Sequence, residues 1–251
     1  MEVKNEIFTQ KVINLIIIRR KELGISQTEL ANRCGLPQSA IARIENHKLN
    51  PRLDTLVKIL TILNVDIVFL NNDVIETKRI ILRKFKEIDA QRMFNGWCND
   101  PEVTKYMTWN PHENIQITQA ILNNWIKEYD NPNTIRYAIT LKNSGELIGS
   151  INVVNFIDGN PEIGYCLSRS YWNNGYMTEA CQAFIKHLFR IGFKKLLIEA
   201  KTDNIASNRV IEKCGFSFTH QETRTPWSVF KPESVTVNWY EISVVKEKKI
   251  K

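Results

Sequence analysis

The spacing of apolar residues changes character near residue 80. Before that point, apolar side chains recur every three or four residues, first in a run from Val12 to Leu23 that Gly24 interrupts. Another amphipathic run begins at Leu53, and the first strand-like run is Val65–Leu70. This pattern predicts a set of short helices over residues 6–70, with no earlier strand.

Caps and turns mark where these helices begin and end. Ser26 with Glu29 three residues later is a capping box, so we expect a short helix over Gln27–Arg33. Gly35 follows it and permits a left-handed turn, while Pro37 opens the next helix. Two short helices joined by a tight glycine turn are therefore expected here.

Beyond residue 80, strand-like runs alternate with helical ones. Asn143-Ser144-Gly145 and Asp158-Gly159-Asn160 are typical hairpin turns. We predict two domains, over residues 6–70 and 80–246, with a linker over 71–79. The predicted strands are Ile80–Lys86, Tyr137–Leu141, Leu147–Phe156, Glu162–Leu167, Leu196–Lys201 and Val235–Val245.

Composition narrows the class of protein. The 251 residues are 43% apolar and 24% charged, a soluble globular balance, and no apolar run could span a bilayer. The five scattered cysteines form no C-x-x-C pair and the four histidines have no metal-ligand spacing. We expect reduced cysteines, no metal site and a cytoplasmic location. The net charge of +7 permits binding to nucleic acid.

The stretch S-Q-T-E-L-A-N-R-C-G-L-P-Q-S-A-I-A-R-I-E-N-H-K-L-N-P resembles the XRE-type (Cro-repressor-like) helix-turn-helix family, over about residues 10–64. Such domains place one helix in the DNA major groove and usually bind as dimers, so we expect a homodimer on double-stranded DNA. The alternative is a helical bundle used for dimerisation or autoinhibition. The resemblance implies that Gln27, Asn46 and Lys48 contact phosphates and that Gln38, Ser39 and Arg43 face base edges.

The stretch S-R-S-Y-W-N-N-G-Y-M-T-E-A lies where a strand passes into a helix. A helix that begins near Asn174 and Gly175 exposes unpaired backbone N–H groups, and its dipole favours an anion. Gly175 allows close approach, and Asn173 and Thr178 add short polar side chains. The sequence therefore predicts a phosphate site at this junction.

The residues around this junction resemble the GNAT N-acetyltransferase family. The run E-I-G-Y-C-L-S-R-S-Y-W-N-N-G-Y-M-T-E-A and the run D-N-I-A-S-N-R-V-I-E-K-C-G-F are similar to the branch of bacterial ribosomal-protein N-terminal acetyltransferases, and the resemblance covers about residues 80–245. It implies an α/β (α+β) domain with a mixed, splayed central sheet, following the all-α helix-turn-helix domain. Acetyl-CoA would lie between the strands Glu162–Leu167 and Leu196–Lys201.

The resemblance also implies roles for individual residues. Glu162 would take the proton from the acceptor amine. Ile211 stands where many members have a tyrosine that protonates the leaving thiolate, and Ser207 matches the serine proposed for this role in the resembling branch. Both Ser207 and Asn204 could instead be local helix caps. The residues implied to bind acetyl-CoA are Tyr165, Cys166, Leu167, Trp172, Asn173, Asn174, Gly175, Tyr176, Met177, Thr178 and Asn204.

Three functions fit these patterns. The first is an acetyl-CoA-dependent N-acetyltransferase that acts on a primary amine and carries a DNA-binding domain. The second is a transcriptional regulator whose acetyltransferase domain senses acetyl-CoA without turnover. The third is a toxin-like acetyltransferase with a built-in repressor. The aromatic cluster of the second domain could line an acceptor site, although we expect ordinary packing; its members are Trp97, Tyr106, Trp109, Trp125 and Tyr129.

Overall fold

The computed structural model describes residues 2–65, 74–131 and 134–244. The chain divides into two compact units, residues 1–72 and 73–251. Residues 66–70 of the predicted first strand lie outside the described residues, as does the end of the last predicted strand beyond residue 244. In the part of the chain that is described, no helix is both long and apolar enough to cross a membrane.

The first unit consists of helices, as the sequence predicts. Its described helices are α1 (Glu2–Glu22), α2 (Gln27–Cys34), α3 (Gln38–Glu45) and α4 (Leu53–Ile62). The Ser26 hydroxyl accepts a hydrogen bond from the Glu29 amide at 3.0 Å, and Gly35 ends α2 in the left-handed conformation. These caps explain why α2 and α3 are short and meet through a tight turn.

A buried ion pair holds the helices of the first unit together. Arg20 of α1 donates two hydrogen bonds to Glu45 at the end of α3, at 2.6 and 2.8 Å. Gln27 of α2 donates a third at 2.8 Å. Burial acts to raise the pKa of Glu45, but the hydrogen bonds from Arg20 and Gln27 hold it below its usual range. The carboxylate is therefore charged and shared by three helices.

The second unit is a sheet with helices on both faces. The strands are β1 (Val74–Glu76), β2 (Ile80–Arg83), β3 (Arg136–Leu141), β4 (Leu147–Ile157), β5 (Asn160–Leu167), β6 (Lys195–Lys201), β7 (Ser217–Arg224) and β8 (Val235–Ser243). The α-helices are α5 (Ala90–Met93), α6 (Pro101–Thr104), α7 (Ile115–Glu128), α8 (Tyr176–Arg190) and α9 (Ile205–Lys213).

The described strands form one sheet in the order β1-β2-β3-β4-β5-β6-β8-β7. Neighbouring strands are antiparallel except β5 and β6, which are parallel. The hairpins β3–β4 and β4–β5 turn at Gly145 and at Asp158-Gly159, where the backbone has positive φ. The mixed sheet and both hairpin turns confirm the sequence-based predictions.

Alternation along the strands creates two cores. Tyr137 and Ile139 of β3 pack with α8 and α9, whereas Ala138 between them packs with α5 and α7 on the opposite face. Phe184 of α8 and Trp97 after α5 are the largest side chains buried in these two cores. The sheet is thus covered on both sides, and functional groups must lie at its edges or at breaks in its pairing.

Two boundaries differ from the prediction, and one strand was not predicted at all. The predicted linker 71–79 contains β1, which pairs with β2, so its second half belongs to the sheet. The strand that begins at Ile80 ends at Arg83 rather than Lys86. The sequence analysis missed β7, whose side chains are almost all exposed and therefore give no apolar alternation. Pairing with β8, rather than local pattern, decides that β7 is a strand.

We predict that Glu45→Ala loosens the first unit by about 3 kcal/mol or more, because it leaves the guanidinium of Arg20 buried without its partner. Native-state amide hydrogen exchange of α2 and α3 in the whole chain measures this loss. Glu29→Ala, which breaks the exposed pair with Arg33, should change exchange by no more than about 0.5 kcal/mol. Equal protection in the two variants would refute the structural role of the Glu45 carboxylate.

Candidate active site and DNA-binding surface

The central feature of the second unit is the place where β5 and β6 part. The two strands pair only at Glu162–Leu197 and Ile163–Ile198 among the described residues. β5 nevertheless continues to Leu167 and β6 to Lys201. The segment of β5 after Ile163 therefore has a backbone edge without a strand beside it, at the centre of the sheet.

Not every peptide group after the parting faces this free edge. The Ser168 amide donates to the Ile148 carbonyl of β4 at 2.8 Å. Since hydrogen-bonded pairs alternate along antiparallel strands, Cys166 also faces β4, while Tyr165 and Leu167 face the free edge. The Cys166 thiol contacts Ser150 at 3.3 Å on the face that carries α5 and α7. The peptide groups of Cys166 are thus directed to β4, and its contact with a cofactor stays a prediction.

The N-terminus of α8 lies at the end of β5. Its first backbone hydrogen bond runs from Glu179 to the Gly175 carbonyl, so the amides of Tyr176, Met177 and Thr178 have no acceptor within the helix. Gly175 has φ of +75° and precedes the first turn. Met177 buries its side chain in the core, which leaves its backbone amide at the helix end. These unpaired amides lie where the sequence predicts an anion site.

The loop before α8 is braced by the turn between β1 and β2. Arg79 donates to the Asn174 carbonyl at 2.9 Å and pairs with Glu179 at 2.6 Å. The Thr77 hydroxyl donates to the same carboxylate at 2.6 Å, and the guanidinium of Arg79 lies 4.4 Å from the ring centroid of Tyr176. The brace fixes the loop conformation and neutralises the Glu179 charge beside the anion site.

The remaining loop residues hold one another. The Trp172 indole donates to the Leu167 carbonyl and the Asn174 amide to the Trp172 carbonyl, both at 2.8 Å. Asn173 has φ of +61°, a left-handed conformation that asparagine tolerates. Trp172 and Asn174 therefore shape the loop through hydrogen bonds, and Asn173 shapes it through its backbone conformation.

On the other face of the sheet, the parting strands form the floor of a cavity of about 530 Å³. Glu162 and Glu199 lie on this floor, from β5 and β6 respectively. The cavity is lined by the aromatic side chains Trp97, Tyr106, Trp109, Trp125, Trp227 and Phe230. Four of the five aromatics that we expected to be packing thus line a cavity, although Trp97 is almost fully buried. The fifth, Tyr129, donates its hydroxyl to the Arg136 carbonyl.

The loop between β7 and β8 closes one side of this cavity. Its Trp227 indole donates to the Met107 carbonyl at 3.1 Å, and Ser228 donates to the Thr108 carbonyl at 2.5 Å. The Asn110 amide in turn donates to the Phe230 carbonyl at 3.1 Å. Residues 107–110 and residues 227–230 are far apart in sequence, and together they form one wall of the cavity.

Glu162 is 8% exposed and stands where the strands part. Burial raises its pKa, against the lowering effects of Arg224 and of a hydrogen bond with Asn155. A buried carboxylate with a raised pKa is a stronger proton acceptor than a surface carboxylate. The structure thus places the predicted base in a suitable environment.

Ser207 lies across the cleft on α9. Its hydroxyl is 2.9 Å from the Tyr165 hydroxyl, and its amide donates to the side chain of Asn204 at 3.1 Å. Asn204 therefore caps α9, the structural alternative that the sequence left open for it. Burial raises the pKa of Tyr165, so this phenol is neutral and able to donate. Ile211 occupies the position where many family members have a tyrosine, and in this chain the hydroxyl of Tyr165 on β5 lies beside Ser207.

One residue that the sequence analysis missed positions α9. Asn208 donates to the carbonyls of Lys201 and Asn204 at 3.0 and 2.7 Å. Its oxygen accepts from Asn238 at 2.9 Å and from the Tyr240 hydroxyl at 2.7 Å. All its polar atoms are satisfied inside the protein, so it locks α9 to β6 and β8 beside the parting.

In the first unit, the predicted DNA-contacting residues share a surface. Ile41 and Ile44 bury one side of α3, while Gln38, Ser39 and Arg43 are exposed. Asn46 and Lys48 are exposed in the loop after α3. The half-buried Gln27 bonds to Glu45 and accepts from Gln38 at 3.3 Å. Gln27 therefore orients Gln38, a residue predicted to face base edges, and its own contact with a phosphate stays a prediction.

Comparison with known proteins identifies both units. Residues 79–217 match the family model described as acetyltransferase (GNAT) domain, which is more than half of the chain. The chain belongs to the GNAT acetyltransferase family. Residues 16–70 match the helix-turn-helix family model, so the GNAT enzyme carries a helix-turn-helix DNA-binding domain of the XRE type. Both resemblances that the sequence indicated are confirmed.

Individual relatives agree with this assignment. The uncharacterized N-acetyltransferase YoaA of Bacillus subtilis is 32% identical over 146 residues, which are 57% of this chain and 82% of YoaA. An uncharacterized HTH-type transcriptional regulator of Haemophilus influenzae is 41% identical over 59 residues, 24% of this chain and 60% of that protein. The structure of RimL, a ribosomal L7/L12 alpha-N-protein acetyltransferase in complex with coenzyme A, has the same fold, with a TM-score of 0.60 at 20% identity over 68% of this chain and 98% of RimL.

Several residues of the GNAT site gave no clear signal in the sequence. Glu199 lies in the run L-L-I-E-A-K, where a charged residue stands among the apolar residues of a predicted strand. This charge is the signal by which the sequence could have indicated Glu199. Arg224 lies on β7, which the pattern did not reveal as a strand. Arg79 and Glu179 are a hundred residues apart. Their roles come from contacts between distant segments.

We predict that Asn208→Ala destabilises the GNAT unit by about 2–4 kcal/mol, because it leaves several buried polar groups unpaired. All six tryptophans lie after residue 96, so tryptophan fluorescence during urea unfolding reports this unit alone. The control is Gln182→Ala on α8, which removes one long hydrogen bond at an exposed position. If both variants unfolded at the wild-type urea concentration, the positioning role of Asn208 would be wrong.

Proposed function

We propose that the protein transfers an acetyl group from acetyl-CoA to a primary amine, and that its first unit binds a specific DNA sequence. The observation that carries the proposal is the position of Glu162, a buried carboxylate where β5 and β6 part. On one face of this point lie the free edge of β5 and the anion site of α8. On the other lies the aromatic cavity.

The residues present fit acetyl-CoA. A pantetheine arm carries amide groups that can pair with the peptide groups of Tyr165 and with the Leu167 amide, as an added strand does. The Leu167 carbonyl already accepts from the Trp172 indole. The amides of Tyr176, Met177 and Thr178 at the α8 N-terminus suit a pyrophosphate. Acetyl-CoA supplies an activated thioester. Trp172, Asn173, Asn174 and Gly175 hold the loop in the conformation that presents these amides.

The proton transfers follow from the side chains around the parting. Glu162 accepts a proton from the attacking nitrogen, directly or through a water molecule. The paired hydroxyls of Tyr165 and Ser207 can donate a proton to the departing thiolate. Since a thiolate is a competent leaving group at neutral pH, we assign the larger rate effect to Glu162.

The acceptor is a primary amine that enters from the aromatic cavity. RimL, which shares the fold, acts on the N-terminal amine of a ribosomal protein. A protein N-terminus is therefore one candidate acceptor for this chain. The cavity walls formed by Trp109, Trp227 and Phe230 would pack against the group that carries the amine.

Glu162→Gln should lower acetyl transfer by about 10²-fold or more, because it removes the proton acceptor while keeping the shape of the side chain. The measurement uses labelled acetyl-CoA with a cell extract that is fractionated into protein, RNA and small molecules. The control is Glu241→Gln, an exposed glutamate of β8 paired with Lys195, which should transfer label at the wild-type rate.

Each outcome separates the candidate functions. Label taken by one fraction from wild type, but not from Glu162→Gln, establishes the enzyme and its acceptor class. Acetyl-CoA binding without transfer to any fraction favours a sensor of acetyl-CoA instead.

Because Glu162 acts as a base and its pKa is raised, the rate of acetyl transfer should fall as the pH falls through that raised pKa.

We propose that α3 reads DNA through Gln38, Ser39 and Arg43, with Gln27, Asn46 and Lys48 at the backbone phosphates. Arginine reads guanine through paired hydrogen bonds, and phosphate contacts supply affinity without sequence preference. Helix-turn-helix domains usually bind paired half-sites, so the protein should act as a homodimer. The exposure of α3 residues and the Gln27–Gln38 hydrogen bond support this arrangement.

Arg43→Ala should weaken binding to the protein's own promoter DNA by about 1–3 kcal/mol and relax sequence preference. Fluorescence anisotropy with the promoter duplex and a shuffled duplex measures both effects. Arg33→Ala removes the same charge from α2, outside the predicted contact set, and should have less effect on the preference between duplexes. Equal losses on both duplexes for Arg43→Ala would leave no base-reading role for this residue.

A further inference from the structure

A second carboxylate shares the cavity floor with Glu162. Glu199 lies on β6, two residues beyond Leu197, which is the partner of Glu162 in the parallel pair. On its strand, Leu196, Ile198 and Ala200 face the core under α8 and α9. The side chain of Glu199 therefore faces the cavity and is 14% exposed.

Arg224 of β7 holds Glu199 through both carboxylate oxygens, and Oε2 is buried. The guanidinium donates to Oε1 at 2.9 Å and lies 2.8 Å from Oε2. The contact with Oε2 is an ion pair without hydrogen-bond geometry, so this oxygen has no hydrogen-bond partner in the structure. Arg224 is also shared with Glu222 at 3.2 Å. Oε2 of Glu199 is thus a buried carboxylate oxygen without a hydrogen bond, on a side chain that lines the cavity.

The charged groups that act on Glu199 lie on β5 and β7. β5 contributes Glu162, and β7 contributes Arg224 and Glu222. Lys201 is on the same strand, within 4.0 Å of Glu233 in the β7–β8 loop. Burial, opposed by Arg224 and reinforced by Glu162, raises the pKa of Glu199 to about 7. A proton acceptor is most effective when its pKa lies near the working pH.

We propose that Glu199 is a second catalytic carboxylate, which takes the first proton from the incoming ammonium group before Glu162 takes the second. This inference rests on the proposed acetyl transfer. An alkyl amine is mostly protonated at neutral pH and cannot attack a thioester until it loses a proton. Two carboxylates on adjoining strands of one cavity floor allow the two protons to leave in sequence.

The reaction balances with these two acceptors. Glu199 receives one proton from R–NH₃⁺ and releases it to solvent. The free amine attacks the thioester carbon, a C–N bond forms, and Glu162 receives the second proton. The C–S bond then breaks, and its electron pair leaves with sulfur. The thiolate takes a proton from the Tyr165–Ser207 hydroxyl pair, which is restored through water from Glu162.

Glu222 provides a matched control because it also partners Arg224 but does not line the cavity. If Glu199 serves only to hold Arg224, then Glu199→Gln and Glu222→Gln should have similar effects. If Glu199 takes the ammonium proton, then the loss of rate relative to wild type should vary with pH for Glu199→Gln and not for Glu222→Gln. Glu199→Asp, which retains a carboxylate, should recover part of the rate.

The experiment uses the whole protein with labelled acetyl-CoA, and as acceptor the extract fraction that takes label from wild type. Initial rates at limiting acceptor are measured from about pH 5.5 to 9 for wild type and all variants. We expect the wild-type rate to fall as the pH falls through about 7, where Glu199 becomes protonated. Glu199→Gln should lose about 10²-fold near neutral pH and lose less as the pH approaches the pKa of the acceptor amine.

The possible results separate the two proposals. A loss for Glu199→Gln that is the same at every pH, or one that Glu222→Gln matches, overturns the catalytic role of Glu199 and leaves the acetyl transfer intact. The absence of labelled acceptor with wild type defeats the proposed function itself. Carbon-13 NMR titration of the glutamate carboxyls adds a test without acceptor, since a Glu199 that titrates below about pH 5 contradicts the inference.

Discussion

The unsatisfied backbone of β5 is the constraint on which the rest of the second unit depends. Peptide groups in a protein interior need hydrogen-bond partners, and a strand in the middle of a sheet normally finds them on both sides. β5 has no paired strand on this side after Ile163, because β6 diverges from it. The edge left at Tyr165 and Leu167 is stable next to solvent or a ligand that offers amides. A binding cleft follows from the parting of two strands, without a special side chain.

The surrounding elements keep this parting in one geometry. Asn208 ties α9 to the far side of the cleft through β6 and β8. Arg79 ties the loop before α8 to the β1–β2 turn. In both cases one polar side chain satisfies several backbone or side-chain groups at once. Such residues make the cleft rigid, so that the groups proposed for chemistry keep their separation.

Electrostatics in the cavity depend on one cation shared among carboxylates. Arg224 is engaged by Glu199 and Glu222, and it also acts on Glu162. Burial raises the pKa of Glu162 and Glu199, and the shared guanidinium only partly offsets this. In the first unit, by contrast, Arg20 serves Glu45 with two direct hydrogen bonds and the pKa of Glu45 is lowered. The same pair of residue types stabilises the fold in one unit and leaves proton acceptors in the other.

The sequence by itself determined both families, the short helices with their caps, and the junction at Gly175, because these depend on residues close together in the chain. It also indicated Glu162 and Ser207 through the resemblance of their surrounding motifs to a known family rather than through geometry. Tertiary structure alone decided that β7 is a strand, that Cys166 faces β4, and that Tyr165, Glu199 and Arg224 converge on the cleft. Those outcomes depend on which strand lies beside which, and pairing between segments far apart leaves no local pattern of apolar residues.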